Sequence, residues 1–200
     1  GKVVCIELDN RMITILKDRF SNKDNFQLIH DDVLKVDLKS LINENENLTA
    51  KVVANLPYYI TTPIVMKLLE ERLKLQSITV MVQKEVADRL SAKVGTKEYG
   101  GLSVFLNYFY DTKKVFNVSR NSFVPKPNVD SAVIKMTKKE NREYLKDVNH
   151  FSKLVKDSFK FKRKNIKNNL NSYNMEIVSD VLNKYGFKKY RKLISDFCGI

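Results

Sequence analysis

Short apolar runs alternate along the chain with stretches whose apolar residues recur every three or four positions. The run Val3-Val4-Cys5-Ile6, followed by Glu7, Leu8 and Asp9, reads as a buried strand at the very start. Asp9 or Asn10 can cap the helix that follows, with Met12, Ile13, Leu16 and Phe20 at helical spacing. Phe26–His30 is a second strand, ending in Asp31-Asp32-Val33, and residues 34–50 read as a polar connection. Residues 51–55 form a third strand whose Val52-Val53-Ala54 reads as buried. Thr62 is then placed as the N-cap and Pro63 as the first residue of a helix over 63–73, with Ile64, Val65, Leu68 and Leu69 on one face. A strand over 77–82, a helix over 84–92, a glycine-marked loop and an apolar helix over 102–110 come next. Runs at 114–118 and 131–138 flank a loop containing Pro125-Lys126-Pro127. Strands alternating with helices imply a mainly parallel α/β sheet covered on both faces, and the last two strands, joined without a helix, imply an antiparallel edge pair.

After Lys138 the pattern becomes helical throughout: Phe151, Leu154, Val155 and Ser158, then Ile166 and Leu170, then Ile177, Val181 and Leu182. Charge shifts at the same point. Residues 138–200 hold 16 Lys and Arg against 7 Asp and Glu, whereas residues 1–137 hold 20 against 16. The expected division is a core over 1–138 and a small basic helical domain over 139–200. The net charge of +13 and pI near 9.6 suit a polyanionic partner and leave the fold open. No stretch approaches the roughly 20 apolar residues of a membrane span. Cys5 and Cys198 stand at opposite ends without ligand spacing, so free thiols are expected rather than a metal site or disulfide, and a cytoplasmic setting follows.

Three places carry candidate chemistry. Asn55-Leu56-Pro57-Tyr58 lies in the turn beyond a strand's carboxyl end, the rim where open α/β sheets bind ligands. The Asn oxygen and a backbone carbonyl of the turn can accept both N–H bonds of an exocyclic amine, the proline stiffens the turn, and an aromatic can stack on a planar base. Glu7, at the end of the first strand, can take the ribose hydroxyls of a nucleotide-like cofactor, or it is a solvated or capping acid. Asp32 can accept from an adenine amino group, or it is a loop residue. A turn-forming role is the plain alternative for Asn55.

The longer string resolves these alternatives by resemblance. Asn55 through Ile64, together with Gln83-Lys84-Glu85-Val86-Ala87-Asp88-Arg89-Leu90, Tyr99-Gly100-Gly101-Leu102-Ser103-Val104 and Ser122-Phe123-Val124-Pro125-Lys126-Pro127-Asn128-Val129-Asp130-Ser131-Ala132-Val133, resembles the ribosomal RNA adenine dimethyltransferases. Residues 159–170 resemble that family's basic Phe-x-x-(Arg/Lys)-(Arg/Lys)-Lys segment. The Val129–Val133 stretch and the basic tail favour the small-subunit, kasugamycin-resistance type over the large-subunit methylases of macrolide resistance. A non-catalytic RNA-binding assembly or transcription factor on the same fold is the reading from another class. A nicotinamide-dependent oxidoreductase would need a glycine fingerprint before Glu7 and leaves the Asn55 string without a role.

The resemblance implies a Rossmann-like class I methyltransferase sheet with a C-terminal helical domain. It implies S-adenosylmethionine as cofactor, held by Glu7, Leu8, Asp32, Val33 and Asn55. Asn55, Leu56, Pro57, Tyr58 and Phe123 become the catalytic set, with Phe123 stacking opposite Tyr58 on an adenine drawn from its stack. Lys160, Lys162, Arg163, Lys164 and Lys167 become phosphate contacts, the plain alternative being a solvated helix face. No metal is implied. The partner is the small-subunit rRNA within an immature subunit, and the protein a monomer. The family's Glu-x-Gly-x-Gly loop and the strand before it have no counterpart ahead of Val3. An N-terminally truncated chain, with a hole in the sheet beside the strands of Glu7 and Asn55 and impaired cofactor binding, is therefore expected.

Overall fold

The computed structural model describes residues 1–44, 48–71, 73–140, 145–161 and 164–186. The chain divides into two compact units, Gly1–Ser77 and Ile78–Ile200.

In the first unit β1 (Val3–Glu7) and β2 (Phe26–His30) pair in parallel, from Val3 opposite Phe26 to Glu7 opposite His30. A parallel pair needs a crossover, and α1 (Asn10–Phe20) supplies it. Asp9 caps α1 by accepting from the Arg11 amide, Ile13 is buried, and the Phe20 and Phe26 rings lie 4.7 Å apart. The stretch read as a polar connection contains a helix, α2 (Leu38–Asn43), started by the Asp37 carboxylate, which accepts from the Ser40 amide and hydroxyl. Six residues with a single local cap leave too short a periodic trace to stand out from a loop.

β3 (Ala50–Asn55) leads through a 3-10 turn at Tyr58–Ile60 into α3 (Thr61–Glu70), whose Ile64, Val65, Leu68 and Leu69 are buried as the spacing predicts. The predicted cap is corrected. Ile60 occupies the N-cap, Thr62 and Pro63 lie inside the first turn, and Thr61 sends its hydroxyl back to the Pro57 carbonyl.

Two further expectations are corrected in this unit. β1 and β3 are strands, but neither is buried: Val3 is 53% and Val53 81% exposed. β1 and β2 form a two-stranded sheet of their own, which β3 does not join.

In the second unit the strand order is β4 (Leu75–Gln83, which begins within the first unit), β6 (Ser131–Lys138), β5 (Tyr110–Val118). β5 and β6 are antiparallel, from Tyr110 opposite Lys138 to Val118 opposite Ser131, as expected of the closing pair. Ile78, Val82, Ile134 and Met136 are fully buried and form the centre of this unit. Two helices complete its core, α4 (Lys84–Leu90) and α5 (Gly101–Phe109). The helical tail follows as α6 (Val148–Ser158), α7 (Ile166–Asn169) and α8 (Met175–Lys184). Its first helix is tied to α5 by aromatic packing. Phe151 stacks 6.0 Å from Phe105 and lies 5.1 Å from Tyr108. No helix among the described residues is long and apolar enough to cross a membrane.

Candidate active site

The parallel register brings the carboxyl ends of β1 and β2 together. The Asp31 amide donates to the Glu7 carbonyl at 3.2 Å, and the His30 ring Nε2 lies 3.3 Å from the Leu8 carbonyl. Glu7 is half-buried and uses one oxygen, Oε1, to accept from the amides of Leu8 and Asp9 at 2.8 and 2.9 Å. That fixes the carboxylate at the strand end with Oε2 outside these two bonds. Asp32 is fixed in the same manner: Oδ1 accepts from the Leu34 amide at 2.9 Å, while its carbonyl accepts from Lys35 and Val36. Leu8 is exposed and Val33 half-buried. An oriented carboxylate for a ribose diol and a second for an adenine amine on one rim fit a nucleoside cofactor. Beneath them, burial and then the Glu7 charge push the Cys5 thiol up from its usual pKa, which keeps it protonated and unreactive. Asp9 is held down at about 2 by its bonds to Arg11.

The Asn55 turn is held by one buried side chain and by bonds to one carbonyl. Leu56 is buried and anchors the turn, and the Pro57 carbonyl accepts from both the Ile60 amide (3.2 Å) and the Thr61 hydroxyl (3.0 Å). Tyr58 is half-buried and Tyr59 81% exposed. Asn55 is exposed, and its side-chain amide makes no hydrogen bond among the described residues. From α3, Lys67 reaches the Leu34 carbonyl at 3.1 Å, which ties the helix after the Asn55 turn to the turn that carries Asp32.

In the second unit Phe123 lies half-buried in the loop 119–130, just after a 3-10 turn at Arg120–Ser122 capped by Ser119. A cavity of about 420 Å³ borders that loop, lined by Gln83, Lys84, Glu85, Arg120, Val129 and Asp130. Farther along, Lys160, Lys164 and Lys167 are exposed, while Lys162 and Arg163 lie outside the described residues. The ammonium groups of Lys160 and Lys164 sit 5.5 and 4.7 Å from the ring centre of Phe161, itself 44% exposed. An aromatic ring flanked by cations is a surface suited to RNA.

The family model for the ribosomal RNA adenine dimethylases matches residues 1–193. The chain belongs to this family. It is 50% identical over 172 residues to the ribosomal RNA small subunit methyltransferase A of Bacillus licheniformis, a match over 84% of this chain and 59% of that protein. The namesake from Clostridioides difficile is 46% identical over 198 residues, covering 96% and 68%. Among solved structures, a dimethyladenosine transferase from Plasmodium falciparum superposes with a TM-score of 0.70 at 30% identity, over 92% of this chain and 63% of that one. The fold is thus the Rossmann-like α/β fold of the methyltransferases, with the helices of residues 148–184 added. The chain spans about three-fifths of the length of several of the curated relatives it matches.

Within this chain, sequence reasoning missed three residues that hold the candidate site's turns and loops. Thr61 locks the Asn55 turn and is 1% exposed. Lys67 links α3 to the Asp32 turn. Asn169, 5% exposed, accepts from the Phe161 amide at 2.8 Å and donates to the carbonyls of Phe161, Lys164 and Asn165, so it shapes the basic loop. A lysine amid the apolar positions of α3 was a readable signal for Lys67. The other two act on backbone brought near by folding, which no local spacing reveals.

Proposed function

We propose that this chain acts in N6-dimethylation of two adjacent adenosines near the 3′ end of small-subunit rRNA. The observation that carries the reading is the locked turn at the end of β3, which leaves the Asn55 side-chain amide exposed and uncommitted while Leu56 and Thr61 anchor it. The Asn55 oxygen and the Leu56 carbonyl accept the two N–H bonds of the adenine amine and aim its lone pair outward. Tyr58 stacks on one face of the base, and Phe123 is the aromatic assigned to the other. This is positioning and electrostatics, and it requires no general base. S-adenosylmethionine, when bound, supplies the transferable methyl. Glu7 would hold its ribose and Asp32 its adenine, with Leu8, Val33 and Asn55 beside them. Release and re-entry of the monomethylated amine gives the dimethyl product.

Residues 139–200 form the RNA-binding part in this reading and residues 1–138 the methyltransferase core. Lys160, Lys164 and Lys167, with Lys162 and Arg163, contact rRNA phosphates of an immature small subunit. The protein acts as a monomer in the cytoplasm and uses no metal. The small-subunit names of the relatives favour this assignment over a large-subunit methylase.

The test is methyl transfer from labelled S-adenosylmethionine to small subunits lacking adenine dimethylation. It uses this chain and a form extended to the length of its relatives, each with and without Asn55→Ala. Transfer that falls by about 10²–10³-fold on Asn55→Ala is expected, the cost of one preorganised polar contact at a reacting centre. Tight subunit binding with no transfer in any form would replace the enzyme by an RNA-binding assembly factor.

A further inference from the structure

The twelve residues 119–130 connect β5 to β6, and the last backbone pair of that hairpin is Val118 with Ser131. A connection of this length without regular pairing is flexible unless side chains tie it down. Here they do. The Asp130 carboxylate accepts from the Arg120 amide across the loop at 3.0 Å, and the Arg120 guanidinium returns to the Asn128 carbonyl at 3.0 Å. The Asp130 backbone carbonyl accepts from the Lys84 amide at 2.9 Å, at the corner where β4 passes into α4. One residue later Ser131 is fully buried, so Asp130 stands on the rigid side of the loop. The hairpin's pairing is thereby continued past its last backbone pair through a side chain. Phe123 sits within the closed stretch, directly after the 3-10 turn that Arg120 opens.

We propose that Asp130 is a positioning residue, clasping Arg120 so that the loop holds Phe123 in one place for a planar base. The role of Phe123 rests on the reading given above; the clasp does not. Asp130 acts through the loop and touches no reacting atom. Its carboxylate is needed as a hydrogen-bond acceptor, so Asn at this position should serve and Ala should not.

The chain contains no tryptophan, so Phe123→Trp places a single fluorescent reporter on the loop. In that background, steady-state anisotropy is compared for Asp130, Asp130→Ala and Asp130→Asn, with far-UV circular dichroism confirming that each is folded. The expected result is a clear fall in anisotropy for Asp130→Ala and recovery for Asp130→Asn. Equal anisotropy in all three overturns the clasp, and so does an Asn variant as mobile as the Ala variant. A short single-stranded RNA with two adjacent adenosines is then titrated. Quenching of the introduced indole is expected, with about tenfold weaker binding for Asp130→Ala, the size of one lost hydrogen bond. No quenching in any variant overturns the stacking role of residue 123, and the anisotropy still decides the clasp.

Discussion

Nearly the same strand text is treated in opposite ways by the two units. β1 reads Val-Val-Cys-Ile-Glu and β3 Ala-Lys-Val-Val-Ala-Asn, yet neither has a fully buried residue. β6 reads Ser-Ala-Val-Ile-Lys-Met and β4 carries Ile-Thr-Val-Met-Val, and there Ile78, Val82, Ile134 and Met136 are completely excluded from solvent. An apolar run supplies the capacity to be buried, while neighbouring strands and helices decide whether it is. For β1, a two-stranded parallel pair has too little around it to bury both faces. Glu7 and the Asn55 turn thus stand at the ends of weakly packed strands, whereas the Phe123 loop grows from a dense core.

The sharpest way to break this comparison is to delete the same kind of bulk in both places. Ile134→Ala should cost about 2–5 kcal/mol in urea unfolding, the range for a large aliphatic removed from a packed core. Val53→Ala should stay within about 0.5 kcal/mol, since its side chain is largely in water already. Comparable losses at both positions would mean that β3 is covered in solution. Native-state hydrogen exchange gives the same contrast without mutation: amides of β4 and β6 should exchange last and those of β1 first.

A pair of asparagines sharpens it next. Asn169 is buried and holds four bonds to the basic loop, so Asn169→Ala should cost about 1–3 kcal/mol, the penalty for leaving loop amides and carbonyls unpaired. Asn55→Ala should leave the unfolding midpoint unchanged while removing methyl transfer. Between them lies Thr61→Val, which takes one hydroxyl from the Pro57 carbonyl and should cost about 1 kcal/mol. Thermal unfolding of the three variants beside transfer assays separates residues that hold the turns from the residue proposed to act.

How much of this was legible depended on whether the signal was local. The helix cap at Asp9, the apolar face of α3 and the limits of β6 are written in spacing and side-chain chemistry, and all three stand. The Asn55 turn and the Phe123 loop were readable because whole strings resemble a family. α2 was missed because six residues carry less than two turns of pattern. Thr62 was mistaken for the cap because Thr before Pro is the usual signature, while the 3-10 turn at Tyr58–Ile60 starts the helix earlier. Burial of β1 and β3 was misjudged because exposure is a property of what surrounds a strand. Asn169 and Asp130 do their work on backbone eight and ten residues away, a distance at which no periodicity survives.

The smallest effect concerns two surface acids, one in each unit. Asp157 on α6 accepts from Lys153 at 2.6 Å and from the Tyr173 hydroxyl at 2.8 Å, and these bonds hold its pKa below the usual carboxylate value. Asp9, in the first unit, is held at about 2 by Arg11. A carboxylate with a depressed folded pKa adds stability that is fully present above its unfolded value, near about 4, and is lost as pH falls through the folded value. Tyr173 runs the other way. Burial, and then its bond to Asp157, raise its pKa, so its contribution is present below about 10 and lost as pH rises beyond the folded value. Asp157→Asn should therefore flatten the stability profile below about pH 4 and lower stability by a constant amount between about 5 and 8, where the carboxylate's contribution is fully present. Because Asp157 braces the densely packed unit, the change should appear in exchange of α6 amides and not in those of β1. Asp9→Asn should show the reverse. If either variant altered both regions equally, the two units would be unfolding as one, and the contrast between them would be a difference of packing without a difference of stability.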